Sequence, residues 1–160
     1  MADVPEARLL ALWRRVSRLP LGTRIFDVLL ARAVPYSGTV RPHVRVLEPG
    51  RVEILMRDRR RVRNHLRSVH AIALANVGEL ASGLAMTAAL PSSVRGIVVR
   101  LEVEYFKKAR GPILARSEAR PPAEVTGPLD HAVTADLLDA SGERVAQVTV
   151  HWRLAPRPAA

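Results

Sequence analysis

Apolar residues in the first third of the chain recur with helical spacing. Leu9, Leu12, Trp13 and Val16 share one face, and Pro5 and Glu6 suit the first turn of such a helix. Leu19-Pro20 interrupts the run and Gly22-Thr23 restarts it. Ile25, Phe26, Leu29 and Leu30 then make a second stripe that ends at Val34-Pro35. From Thr39 the period shortens to two. Val40, Val44 and Val46 precede the turn Glu48-Pro49-Gly50-Arg51, and Val52, Ile54 and Met56 alternate after it, which predicts a β-hairpin. Residues 97–106 and 113–119 predict two more strands turning at Gly111-Pro112, and Pro121-Pro122 closes that pair. Residues 132–138 and 145–154 flank Asp139-Ala140-Ser141-Gly142, a second hairpin signal. The tail, 155–160, with Pro156 and Pro158, reads as frayed.

Between the β blocks lies VHAIALANVGELASGLAMTAAL, residues 69–90, nearly uncharged and rich in Ala, Gly and Leu. Its length suits a bilayer span. Glu79 at its centre opposes that reading, and Asn76, Ser82 and Thr87 add to the cost. A helix apolar on all sides is otherwise one buried in protein. These elements predict an α+β fold: an antiparallel sheet of about six strands wrapped around one central helix, with two extra N-terminal helices. They form a single domain, residues 1–160, made of a helical extension (1–36), a core (38–154) and the tail.

Composition supports one domain: 160 residues, 17.6 kDa and 48% hydrophobic content suffice for a core. Cysteine is absent, which excludes disulfides, thiolate metal sites and a cysteine nucleophile. The net charge of +10 suggests nucleic acid, an anionic membrane surface or a phosphate-bearing ligand. Of the 25 basic residues 23 are arginine, spread through every segment, so they read mainly as a general surface cation. Only six aromatics are present, few for stacking bases, which argues against nucleic acid. The N-terminal stripes are better matched to the protein's own sheet than to a membrane surface. The apolar run 9–13 precedes Arg14 and Arg15, the reverse of a secretory signal, and predicts a cytoplasmic protein.

Glu79 is the candidate for chemistry. At 100° per residue, Asn76 and Ser82 lie within about 60° of it, forming a narrow polar stripe on the rod. A carboxylate there has a raised pKa, as suits a general base. The alternatives are a core arginine or buried water as its partner, or a place facing solvent at an interface. Upstream, the basic run 57–67 leads to His70 and the helix start, where free N–H groups and the dipole favour an anion or a polarised carbonyl. The spacing of His65 and His70 matches no familiar metal pair, so no metal is assigned. His43, His131 and His151 fall in strands and read as packing or surface residues.

The string NHLRSVHAIALANVGELASGLAM resembles the central-helix signature of hot-dog-fold proteins, particularly acyl-CoA thioesterases of the phenylacetate-pathway type. Asn64 precedes Glu79 by fifteen positions and His70 precedes it by nine, as in that pattern. The strand from Gly96 and the segment Tyr105 to Ala109, a Y-x-x-x-A, continue the similarity across about residues 38–154. The run is closer still to a poorly characterised, thioesterase-like branch. The resemblance implies hydrolysis of an acyl-CoA or acyl-carrier thioester, with Glu79 as base or nucleophile and Asn64 holding water or substrate. His70 would help set a carbonyl site beside the amides of Ala71 and Ile72. Asn76 and Ser82 would border the substrate. Lys107, Lys108 and Arg110, or the arginines at 59–63, would meet the phosphates of coenzyme A, which enters as part of the substrate and not as a cofactor. It also implies a homodimer or dimer of dimers, with sites at the subunit interface. Two departures stand out: Ala71 and Ile72 replace paired glycines, and aliphatics at 97–99 replace a serine or threonine of some relatives. A non-catalytic acyl-ligand- or partner-binding protein of the same fold is the competing reading.

Overall fold

The structure is a computed structural model describing residues 5–158, with side chains described from Arg8 onward. The part of the tail at 159–160, and Asp3 near the start, lie outside the described residues. Four helices run α1 (Pro5–Val16), α2 (Gly22–Ala33), α3 (Pro35–Gly38) and α4 (Ala71–Ala89). Six strands run β1 (His43–Glu48), β2 (Arg51–Met56), β3 (Val94–Tyr105), β4 (Ile113–Glu118), β5 (Leu129–Leu138) and β6 (Arg144–Pro156). They form one sheet in the order β1-β2-β4-β5-β6-β3, every pairing antiparallel. The sheet curls around α4, which packs on all six strands. This is the architecture expected from the sequence.

Some boundaries differ from the alternation. β1 starts at His43 and not at Thr39, because Arg41 holds a left-handed backbone (φ 47°) and Pro42 follows it. β3 and β5 each begin three residues earlier than alternation suggests, and β6 runs on to Pro156. Ladder pairing extends these ends, as in Val94 with Pro156 and Leu129 with Leu154. Arg157 then donates its backbone N–H to Ser93 and its Nε to the Val94 carbonyl.

The N-terminal helices share the core. Trp13 of α1 and Phe26 of α2 meet edge to face at 5.0 Å, and both are buried. Asp27 of α2 accepts from the Val44 N–H at 2.9 Å and lies 2.6 Å from His43 Nδ1, which ties α2 to the start of β1.

By length and composition α4 passes for a membrane span, yet most of it is enclosed by the sheet. The enclosure depends on small side chains. A Cβ on Gly78 would sit 2.4 Å from Val148 Cγ2 and 2.7 Å from Val148 Cβ. Gly78→Ala is therefore expected to lose about 1–3 kcal/mol to overpacking, outweighing a helix-propensity gain of about 1 kcal/mol. Urea unfolding of the single variant and of Gly78→Ala/Val148→Ala checks this. Partial recovery in the double variant is expected; a stabilised Gly78→Ala would contradict the close approach.

Candidate functional site

From Leu74 to Ala88 every residue of α4 is buried except Glu79, Gly83 and Thr87, which follow one another at steps of four. The helix thus has one uncovered line, and its only ionisable group lies on it. No cation or hydrogen-bond donor pairs with the Glu79 carboxylate among the described residues. A Cβ on Gly83 would lie 3.9 Å from Glu79 Oε1 and equally far from Cζ2 and Cη2 of the Trp152 ring, so the carboxyl and the indole both border Gly83. Burial pushes its pKa above the ordinary 4.5. The core-arginine alternative is thereby removed.

The helix start is built by the loop after β2. Asn64 Oδ1 accepts from the N–H of Leu66 and of Ser68, at 2.9 and 3.2 Å, and from Ser68 Oγ at 3.1 Å. Arg67 adopts the left-handed φ of 55° that this tight turn requires. Asn64 therefore spends its oxygen on its own loop, leaving the amide Nδ2 for other work. His70 is the N-cap of α4, and its Nδ1 accepts from the Ile72 N–H at 3.1 Å. This consumes one of the two amides expected to face a carbonyl. The Ala71 N–H is left, and the Ile72 side chain is 57% exposed beside it.

The Y-x-x-x-A segment has a physical role that the sequence alone did not disclose. Tyr105 Oη donates to the Ala71 carbonyl at 3.0 Å, and the carbonyl of Ala109 accepts from the Val69 N–H at 2.8 Å. The first bond ties the end of β3 to the first turn of α4, and the second ties the loop after β3 to the residue before the His70 cap. Burial raises the Tyr105 pKa. Trp152 of β6 lies against the Glu79 line at Gly83, with its Nε1 buried and without a partner among the described residues. Its inward phase on β6, opposite Val98, was the available signal.

Other expected site residues are engaged elsewhere. Ser82 is fully buried and donates to the Glu79 backbone carbonyl at 3.1 Å, a bond internal to the helix. Asn76 is buried, with Nδ2 3.4 Å from the Tyr36 carbonyl and Oδ1 unpartnered. The polar stripe 76–79–82 thus opens only at Glu79. Lys107 is paired with Asp139, at 2.7 Å, and with Glu143. Lys108 and Arg110 are exposed. Among the described residues no group of three His, Asp or Glu side chains is placed to hold a metal ion.

Residues 22–154 match the family described as a domain of unknown function, DUF4442. Among solved structures, one described as genomics APC5556 superposes with a TM-score of 0.81 at 27% identity, over 95% of this chain and 99% of that one. PA5026 from Pseudomonas aeruginosa, described as of unknown function and a probable thioesterase, gives 0.73 at 22% identity, over 87% and 97%. A thioesterase family protein from Silicibacter pomeroyi gives 0.68 at 21%, over 82% and 96%. No curated protein matches this sequence. The fold shared with these structures is the hot-dog fold.

Because Glu79 binds its proton more tightly in the folded chain than in the unfolded one, its contribution to stability is complete below about pH 4.5. It is lost as pH rises through the folded-state value. Glu79→Gln keeps the shape and removes the charge. Its Tm is expected to match wild type in acid and to exceed it at neutral pH. A Tm difference that stays constant across a pH series would show that Glu79 is not held in this way.

Proposed function

Since the chain belongs to the DUF4442 family and carries the hot-dog fold of thioesterase structures, we propose that it hydrolyses an acyl-CoA or acyl-carrier thioester. The observation carrying this reading is Glu79: a half-buried carboxylate without a counter-ion among the described residues, on the one open line of an otherwise enclosed helix. A carboxylate of raised pKa accepts a proton from water at near-neutral pH, and the resulting hydroxide attacks the thioester carbonyl. The Ala71 N–H and the positive end of α4 stabilise the oxyanion, and the thiolate then leaves. His70 acts on this step as a positioning residue, holding the first turn by its cap.

Helix geometry supports a two-chain site. Ala71 and Glu79 are eight residues apart, about 12 Å along the axis at 1.5 Å per residue. Even with the glutamate leaning towards the helix start, a carbonyl on Ala71 lies beyond the reach of a water held by the same chain's Glu79. A second copy placing its helix start opposite Glu79 removes the gap. β3 supplies a surface for that copy: it is an edge strand of 12 residues. Ile97, Val99 and Leu101 are all exposed along it, and the ladder shifts register between Val98 and Arg100.

Thiol release from a panel of acyl-CoAs tests the reaction. Wild type is expected to release thiol, and Glu79→Gln to lose about 10²- to 10⁴-fold. Binding of an acyl-CoA with no turnover in wild type would instead favour the non-catalytic reading, for which Ile72 at the helix start is the specific support. Light scattering tests the assembly. Wild type is expected to be dimeric, and Val99→Lys/Leu101→Lys to be monomeric and inactive with Glu79 intact. A monomeric wild type that still hydrolyses would refute the shared site.

A further inference from the structure

A cavity of about 550 Å³ lies away from α4, between the outer face of α2, the turn at 38–43 and the residues that follow β2. That volume is in the range of small-molecule sites. α2 is two-faced: Gly22, Phe26 and Leu30 are buried in the core, while Arg24, Asp27, Val28, Ala31 and Arg32 turn to the cavity. Arg41, Arg57 and Arg59 complete a ring of five guanidinium-bearing side chains.

This charge is not neutralised from within. The one carboxylate in the lining, Asp27, is committed to His43 Nδ1 and the Val44 N–H. Arg24, Arg32, Arg41 and Arg57 make no ion pair among the described residues, whereas exposed arginines elsewhere do, such as Arg63 with Asp58 and Arg153 with Asp130. Arg59 donates to the Val40 carbonyl, at 2.6 Å, and makes no ion pair among the described residues. Its pKa is lowered by burial and by the like charges of Arg41 and Arg61. Arg41 is presented by a left-handed backbone (φ 47°), a conformation unfavourable for a non-glycine residue.

We propose that this cleft binds an organic diphosphate, with the arginines on the phosphates and the apolar wall of Val28, Ala31 and Pro42 against the organic body. Guanidinium forks bond phosphate oxygens in pairs, and several of them around one concavity match a ligand with adjacent multiple negative charges. A nucleic-acid backbone would need a basic track longer than one cavity. The inference does not rest on thioester hydrolysis. The diphosphate has two possible sources, the nucleotide end of a coenzyme A thioester or a separate nucleoside diphosphate.

Isothermal titration of the intact protein with free coenzyme A, ADP and inorganic pyrophosphate tests it. One site per chain is expected for each organic ligand, with pyrophosphate weaker for want of the apolar body. Arg41→Ala/Arg57→Ala is expected to weaken binding at least tenfold. Arg24→Glu/Arg32→Glu, on the exposed face of α2, should do the same without touching the Arg41 turn. Arg120→Ala, a charge lost from the far end of β4, should leave affinity unchanged. Coenzyme A binding much more tightly than ADP identifies the site as the handle for the thioester; equal affinities identify a general diphosphate site. No binding by either organic ligand overturns the proposal, as does affinity that both cleft variants retain. Loss of binding with hydrolysis of a short non-CoA thioester retained separates this site from the Glu79 reaction.

Discussion

Everything in this fold depends on how closely α4 lies to the sheet around it. A side chain as small as a methyl at Gly78 would overlap Val148, and Ala81 and Ala85 on neighbouring turns are fully buried. Only a helix of small residues lets a single sheet curl around it and bury its apolar strand faces at once. The same closeness leaves no space for a polar side chain on most of the helix. Ser82 fits by bonding its own backbone, and Asn76 fits with its oxygen unpartnered. Glu79 is tolerated because it lies on the line the sheet does not cover.

The uncovered line and the bare edge of β3 are two sides of the same incompleteness. A sheet of six strands is too short to close around the helix, so it ends on β3, along which Ile97, Val99 and Leu101 are exposed. An apolar edge left bare to water invites another strand to it. On the proposed reading, the surface that completes the sheet also brings in the helix start that Glu79 lacks within its own chain. Assembly and catalysis then share one physical cause.

Much of this was legible in the sequence because burial has a period. The α4 segment stood out as an uncharged stretch with one carboxylate, and the hairpins stood out through Pro49-Gly50 and Ser141-Gly142. Less was legible where a hydrogen bond, and not hydrophobicity, decides a residue's role. That His70 would cap α4 and take the Ile72 amide depends on the backbone angles at its own position. That Asn64 would turn its oxygen into the 64–68 loop depends on Arg67 adopting a left-handed φ. The helical wheel predicts the 76–79–82 stripe from spacing alone, but the sheet decides which member stays open, burying Asn76 and Ser82. Tyr105 reaches Ala71 from 34 residues away, a contact no local pattern encodes.

The charge excess shows the same limit. Counted along the chain, the arginines are evenly spread and look like a uniform surface. In space they divide. One set is neutralised across strands, such as Arg153 with Asp130 and Arg144 with Asp136, where exposed pairs are worth little but carry little cost. The other set converges on the α2 cleft with no carboxylate to spare for it. Like charges brought together in a concavity oppose folding, and more so where burial already disfavours the charged form of Arg59. Nothing in the packing of the core requires Arg24, Arg32 or Arg57 to point into that cleft, since all three are exposed. Such an arrangement persists against its own repulsion where an anion supplies the missing charge.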